Sequence, residues 1–257
     1  MRSDVREALP LDQRAWLILG LLALTAVVDA VAVLADLEQL SVINRFIDGE
    51  RVPFADLDAV DRHMSTVGMI QLVLLVVSAV AFLLWLSRAY RNSIAMGIRN
   101  PRYGTRWAIG CWFVPFVNLV VPKKVMNDTY RGSDPEMAYG DPSFASRPVD
   151  PLLHWWWGIW LLSGFAARYA GGSSFDANLR DYGNQAKAYV FSDVLNLVAA
   201  VLAILVVKKI TDRAELRRHR FLRNQAEAEG QAPSEPPAAL TPPAVSGQGS
   251  VPPPHSA

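Results

Sequence analysis

Long apolar runs with polar or charged borders dominate the chain between residues 15 and 207. Four of these runs are close to the roughly 20 residues that a helix needs to cross a bilayer. The pattern predicts an all-α membrane protein built around a bundle of four transmembrane helices, at residues 15–35, 67–87, 152–168 and 188–207.

The first run has an alternative interpretation as a cleaved signal peptide, because Ala30-Val31-Ala32 resembles a small-x-small cleavage site. The residues before the run are acidic as well as basic, and the run continues through that site. Both observations favour a transmembrane helix.

A fifth apolar run, residues 107–122, is too short and too irregular for a simple span. Trp107 to Val121 is fifteen residues, or roughly 22 Å of helix against a hydrocarbon core of about 30 Å. Pro115 removes a backbone donor near its middle, and Pro122 stands at its end. The run predicts a broken or re-entrant helix, which is tolerated in a membrane where protein or water covers its backbone.

Basic residues indicate on which side the segments lie, because cytoplasmic loops are enriched in Lys and Arg. If residues 107–122 do not cross, 19 of the 25 basic residues fall on the side of both termini and 6 on the other. If they cross, the division is 11 against 14. The charges therefore predict four crossings of the plasma membrane, with the N- and C-termini cytoplasmic.

The remaining segments are predicted to lie outside the bilayer. Residues 1–14 are predicted as a cytoplasmic N-terminus, and residues 36–66 as a polar loop. Within that loop, Asp56 to Met64 is expected to start the helix that runs into the second span. Residues 208–223 read as a basic juxtamembrane helix. Residues 224–257 contain eight of the seventeen prolines and few large apolar residues, so a disordered Pro-rich cytoplasmic tail is expected.

Two motifs carry a resemblance to a known family. The first is Trp85-x-x-Arg88-Ala-Tyr90-Arg91-Asn92, and the second runs from Trp107 through Gly110, Trp112, Pro115 and Asn118 to Pro122. With Ser133-Asp134-Pro135 and Trp156-Trp157-x-x-Trp160, they resemble the bacterial, mostly actinobacterial, membrane family catalogued as domain of unknown function 4328. The resemblance covers roughly residues 67–207. It implies this architecture and no catalytic residues.

Polar residues inside the predicted spans are functional candidates, because a buried charge is costly unless it is paired or wetted. Asp29, Gln71, Arg168 and Asp193 lie at similar depths, and Asn196 is one turn from Asp193. We expect an ion pair between Asp29 and Arg168, with Asp193 as the alternative partner of Arg168. The competing interpretation is simple contact with water and head groups.

Further candidates lie at the opposite border. Arg88 and Asn92 are four apart and share a helical face. Asn118 is expected to cap carbonyls freed by Pro115, with ligand binding as the alternative. His154 precedes three tryptophans, which favours an interfacial anchor over a proton relay.

Several kinds of chemistry lack support in the sequence. Cys111 is the only cysteine, which excludes an intrachain disulfide, and no two of the four histidines have ligand spacing. Nucleotide-binding and hydrolase motifs are missing as well. We therefore expect no enzyme activity, metal or cofactor. Nucleic-acid binding is not expected either, since aromatic residues scarcely interleave the basic ones.

The predicted function is a non-enzymatic membrane module that anchors or regulates a protein partner through its cytoplasmic face and tail. The alternative is a small transporter or channel in which segment 107–122 lines a polar cavity. Lys208 to Arg223 could also bind anionic lipid head groups, although any stop-transfer flank is equally basic. The oligomeric state stays open.

Overall fold

The computed structural model describes residues 8–98, 101–172 and 179–230. Most of the tail that is predicted to be disordered lies outside these residues. Its first part, residues 224–230, belongs instead to the last helix. This stretch is rich in Ala, Gln and Glu, which are strong helix formers, so the helix runs further than the prediction allows.

The described chain is helical throughout, with no strand in the ranges given above. Its α-helices are α1 (Asp12–Ile47), α2 (Phe54–Ala95), α3 (Thr105–Gly110), α4 (Val121–Gly132), α5 (Pro151–Gly172) and α6 (Leu179–Gly230). Short 3₁₀ turns form at Cys111–Phe113, Val117–Leu119 and Pro142–Ser146.

Helices α1 and α2 form a long antiparallel hairpin. The prediction of a polar loop from Asp36 is wrong, because α1 continues to Ile47. The predicted start of the next helix at Asp56 is confirmed, since α2 begins at Phe54. Apolar residues persist among the charges of this region, with Val42 and Val60 both buried. Packing of these residues extends both helices and leaves only a short turn between them.

The four long helices alternate in direction. We call the end where α1 begins and α2 ends the proximal end, and the opposite one the distal end. Trp85 of α2 donates to Thr211 of α6 near the proximal end, at 3.0 Å. Gln185 of α6 donates to the carbonyl of Ala170 on α5 towards the distal end, at 3.0 Å. Helix α6 packs against both α1 and α5, and α2 packs against α1.

Within the described residues, three helices are long and apolar enough to cross a membrane: Asp12–Ile47, Asp58–Ala95 and Gly183–Ala228. Many of their large apolar side chains are exposed, which is expected of surfaces that face lipid. Helix α5 is not among the three, since its tryptophans, glycines and His154 lower its hydropathy. A fourth crossing therefore stays a prediction.

The predicted broken segment is interrupted where Pro115 lies. Helix α3 passes into a 3₁₀ turn, residues 114–116 are not helical, and Phe116 has a φ of 63°. The chain then returns through a second 3₁₀ turn into α4. Both flanks contact the proximal end of α2: Tyr90 donates to the carbonyl of Tyr103 at 2.7 Å, and α4 packs on α2. Whether the segment enters a membrane stays a prediction.

Gly97 joins the proximal end of α2 to the connection that follows α4. Its φ of 106° ends α2, and its amide donates to Ile94 O at 3.0 Å. A Cβ at this position would lie 2.5 Å from Tyr139 Cδ2 and 2.9 Å from the amide nitrogen of Gly140. Gly49 ends α1 in the same way, with a φ of 81°, but its surroundings are open.

We predict that Gly97→Ala lowers the free energy of unfolding by about 2–5 kcal/mol, the combined cost of a left-handed alanine and an overpacked contact. The matched control, Gly49→Ala, introduces only the backbone strain of a left-handed alanine, and should lower the free energy of unfolding by about 1–2 kcal/mol. Denaturant unfolding of the detergent-solubilised protein measures both. Equal losses would show that Tyr139 does not pack closely against α2.

Candidate functional site

Polar side chains from three helices converge in the distal half of the bundle. We call this set, Asp29 and Asp36 on α1, Gln71 on α2, and Asp193 and Asn196 on α6, the carboxyl cluster. Gln71 Nε2 donates to Asp29 Oδ1 at 3.1 Å and to Asp193 Oδ2 at 3.3 Å. Asn196 Nδ2 lies 3.5 Å from Asp193 Oδ1. One amide therefore joins carboxylates from two different helices.

Asp36 completes this cluster. It is two turns of helix beyond Asp29 on the same face of α1, and its exposed fraction is 2%. Its carboxyl group lies close enough to that of Asp193 for the two to act on each other electrostatically. Sequence analysis missed Asp36 because it was assigned to a loop. The seven-residue spacing from Asp29 was the available signal.

The predicted ion pair between Asp29 and Arg168 is wrong. Asp29 is 4% exposed, and the groups that act on it are Gln71 and Asp193. Arg168 is exposed on α5, a helix that packs on α6. Equal depth along two helices did not imply adjacency, because α2 and α6, rather than α5, are the neighbours of α1.

Polar side chains continue from the carboxyl cluster towards the proximal end, and we call this row the polar seam. It ends inside the bundle. Thr25 Oγ1 and Ser78 Oγ lie 3.4 Å apart, about one turn proximal of the carboxyl cluster. Beyond them the facing side chains are apolar and buried, and include Ile18, Ala81, Trp85, Ala203 and Val206. Closely packed apolar side chains leave no room for a column of water, so the seam does not continue to the proximal end.

The proximal end is a second concentration of polar contacts, and the family-like motif residues provide many of them. Asn92 is buried and binds the backbone of Leu9 twice, receiving from its amide at 3.3 Å and donating to its carbonyl at 2.6 Å. Arg88 lies nearby, close to Arg14 and Arg91. Asn92 therefore holds the segment that leads into α1.

We call α4, the connection 133–150 and α6 beyond Lys208 the proximal platform. Its central side chain is Arg217, which is 3% exposed. The Arg217 guanidinium donates to the carbonyl of Met96, at 2.7 Å, and to that of Gly132. These carbonyls lie at the C-terminal ends of α2 and α4, where the helix dipoles favour a cation. A single side chain thus joins three helices.

Carboxylates surround this arginine at the edge of the platform. Burial acts to raise the pKa of Asp134, but hydrogen bonds from the Glu136 amide and from Arg147, at 2.5 Å, outweigh it and hold the pKa below its usual range. The hydrogen bond from Lys209 lowers the pKa of Asp150. A carboxylate whose pKa is lowered by folding stabilises the folded state at any pH above its pKa in the unfolded chain. This stabilisation is lost as the pH falls through its pKa in the folded protein.

Asp128 on α4 is a further buried acid that sequence analysis missed. Burial raises its pKa, and neither carboxylate oxygen has a hydrogen bond among the described residues. Arg131 is its nearest ion-pair partner, with Nη1 3.5 Å from Oδ1. No spacing or motif in the sequence distinguishes it from an exposed acid.

The basic stretch from Lys208 to Arg223 is more than a flank of a span. Six of its seven basic side chains bind groups of the protein itself, namely Lys208, Lys209, Arg213, Arg217, Arg218 and Arg220. Glu215 accepts from Arg218 Nε at 2.7 Å and from the Leu11 amide at 2.5 Å. Binding of anionic lipid by this stretch stays a prediction. Most of its positive charges already bind groups of the protein and are less available to lipid head groups.

The broken segment is held by tryptophan rather than by its own asparagine. Trp157 Nε1 donates to Leu119 O at 3.3 Å. The Asn118 amide donates to Val114 O at 3.0 Å, but its side chain has no hydrogen bond among the described residues. The prediction that this side chain caps the freed carbonyls is therefore wrong. Pro122 is buried and lies in the first turn of α4, where its missing amide is not needed.

The tryptophans of α5 divide into two groups. Trp155 is exposed, as an interfacial anchor would be, and so is His154. Trp156 and Trp157 are buried, and the anchor interpretation is wrong for them. They join an aromatic cluster with Phe82, Trp112 and Trp160, in which ring centroids lie 4.9–6.1 Å apart.

A groove of about 520 Å³ opens on the platform between residues 135–139 and α6. Tyr139 and Phe221 stack in its wall, with ring centroids 6.4 Å apart. Arg220 also lines it and pairs with Glu136. The groove thus offers an aromatic wall with charges beside it.

The family model of Domain of unknown function (DUF4328) matches residues 48–212. This match covers more than half of the chain, and the chain belongs to that family. The matched range includes Gln71, Asp193 and the proximal motif residues, but not α1 or the end of α6. Comparisons with curated proteins and with solved structures found no match.

We predict that Arg217→Met lowers the free energy of unfolding by about 2–5 kcal/mol, because two buried carbonyls lose their donor. The matched control is Arg220→Met, three residues along the same helix. Arg220 and Glu136 are 47% and 75% exposed, so that change should cost only about 0–1 kcal/mol. Thermal unfolding in detergent compares the two. Similar losses would contradict the central place of Arg217.

Proposed function

We propose that this protein of the family is a non-enzymatic membrane module that anchors or regulates a protein partner through its proximal platform. The proximal end is the cytoplasmic side of the plasma membrane in this proposal, and both termini lie there. The observation that carries the proposal is the rigid platform itself, in which Arg217 ties α2, α4 and α6 together.

Charge and geometry support this orientation. The chain segments of the proximal end contain 19 of the 25 lysines and arginines, as cytoplasmic segments do. Both flanks of segment 107–122 meet the proximal end of α2, which fits a segment that enters and leaves by one face. Phe113 and Phe116 near its turn are 72% and 84% exposed, which suits contact with lipid. With α5 as the fourth crossing, the bundle has four spans.

The transporter or channel alternative is less well supported. A conduit needs polar side chains along its whole length, whereas the seam from the carboxyl cluster stops at Thr25 and Ser78. The broken segment does not line a polar cavity either. Its Trp112 packs against Phe82 and Trp160, with ring centroids 5.3 and 6.0 Å apart. Both contacts favour a bundle without a polar conduit, whose binding surface lies at one end.

The groove beside Tyr139 is the surface we assign to the partner. Its walls come from two segments that Arg217 holds in place, so little ordering is needed when a partner binds. Aromatic side chains are enriched among the residues that contribute most to protein interfaces. In this proposal the Pro-rich tail, which lies outside the described residues beyond Gly230, takes part in the same interaction.

Site-specific photo-crosslinking in intact cells tests this proposal. A crosslinking amino acid at Tyr139 should give a discrete protein adduct. The same residue at Val76, on the exposed apolar face of α2, or at distal Phe46 should not. Phe221→Ala, which removes one wall of the groove, should abolish the adduct, and the exposed Leu222→Ala on the same helix should retain it. Equal adducts at all three positions, or none at Tyr139, would contradict the proposal.

A further inference from the structure

We propose that the carboxyl cluster is a proton-binding site, in which Asp36 and Asp193 share one proton at neutral pH. This inference is independent of the platform and its partner. It concerns the opposite half of the bundle, and it rests on how two buried acids, Asp29 and Asp36, meet the half-buried Asp193 there.

The cluster contains no balancing cation among the described residues. Asp193 interacts with both Asp29 and Asp36, and the neutral amide of Gln71 bridges Asp29 and Asp193, while that of Asn196 binds Asp193. Placing three unpaired negative charges between apolar helices would cost far more than a hydrogen-bonded neutral group. A bound proton removes one of these charges directly.

The neighbouring carboxyl groups of Asp36 and Asp193 can form a hydrogen bond only when one of them carries a proton. An ionised carboxylate can only accept, so two ionised groups repel and form no such bond. When one is protonated, its O–H donates to the other, as in paired carboxyl groups that share a proton. A hydrogen bond between these groups therefore implies a shared proton.

An independent observation points to a missing donor at the same place. Asp36 Oδ2 is fully buried and faces no N–H or O–H group of the described residues. Gln39 Oε1, one turn further along α1, is also buried without a donor. Buried acceptors without donors are rare in folded proteins, and they indicate a bound group that supplies the hydrogen. A proton on Asp36, with water beyond it, meets this need.

The geometry favours a proton over a metal ion. Among the described residues, no three His, Cys, Asp or Glu side chains approach closely enough to hold a metal. Asp29 and Asp36 are seven residues apart on α1, or roughly 10 Å, and Asp193 of α6 interacts with both. Carboxyl groups spaced in this way can pass and hold a proton, but they cannot surround a cation with six or more oxygens.

A cavity of about 320 Å³, lined by Glu38, Ser41, Val42, Arg45, Ala59 and Val60, lies one to two turns beyond Asp36. His63 Nδ1 on α2 lies 3.6 Å from Oε2 of Glu38, one of the residues that line this cavity. Tyr189 of α6 turns its hydroxyl towards Gly171 on α5. The apolar residues proximal of Thr25 close the other direction.

Infrared spectroscopy of the full-length protein in lipid nanodiscs tests the inference. At neutral pH the wild type should show the C=O stretch of one protonated carboxylic acid, shifted in heavy water. Asp36→Asn and Asp193→Asn should each lose this band. Asp212→Asn, which removes an exposed partner of Lys208, should keep it. Size-exclusion chromatography checks that each variant is folded.

The wild-type spectrum alone can overturn the proposal. If no protonated carboxyl band appears at neutral pH, all three acids are ionised and the shared proton does not exist. A band that survives in both asparagine variants would place the proton elsewhere. A band that appears only when sodium is replaced by a bulky organic cation would assign the site to sodium instead, and would also overturn the proposal.

Discussion

The buried guanidinium of Arg217 is the contact on which the proximal half of this protein depends. Two helices end beside it, and each presents backbone carbonyls that no residue of the same helix can satisfy. A lysine could not replace it equally well, because only the planar guanidinium has several donors in a fixed fork. The free-energy cost of burying this charge is offset by the hydrogen bonds to those carbonyls and by the negative charges of the acids around the platform.

Helix α6 connects the two polar regions of the molecule. Its Asp193 belongs to the carboxyl cluster, and its Thr211, Glu215 and Arg217 hold the proximal end. The segment between them is apolar and packs on α1 and α5. Polar contacts thus fix the helix at both ends, while nonspecific apolar packing holds its middle.

Much of this architecture follows from sequence because it depends on local properties. The apolar runs locate the helices, and Pro115 locates the interruption in segment 107–122. The depth of a residue in the bundle also follows from the sequence, because it is given by the number of residues from the end of its helix. For this reason Asp29, Gln71 and Asp193 were correctly expected at one level.

Neighbours across the bundle do not follow in the same way. Asp29 was paired with Arg168 because a count of residues gives height but not which helix lies beside which. The role of Arg217 was hidden for a related reason, because its partners are backbone carbonyls more than eighty residues away. Asp36 was missed because charges near a span end suggest a loop, whereas packing of Val42 and its neighbours extends the helix.

The central claim places the platform and both flanks of segment 107–122 on the cytoplasmic side, with the turn between α1 and α2 outside. Cysteine labelling with a membrane-impermeant thiol reagent tests this most directly. In a Cys111→Ser background, the exposed positions Arg51 and Ser143 each receive a single cysteine. In intact cells the cysteine at 51 should label, and the one at 143 should label only after permeabilisation. Labelling of position 143 in intact cells would contradict the account.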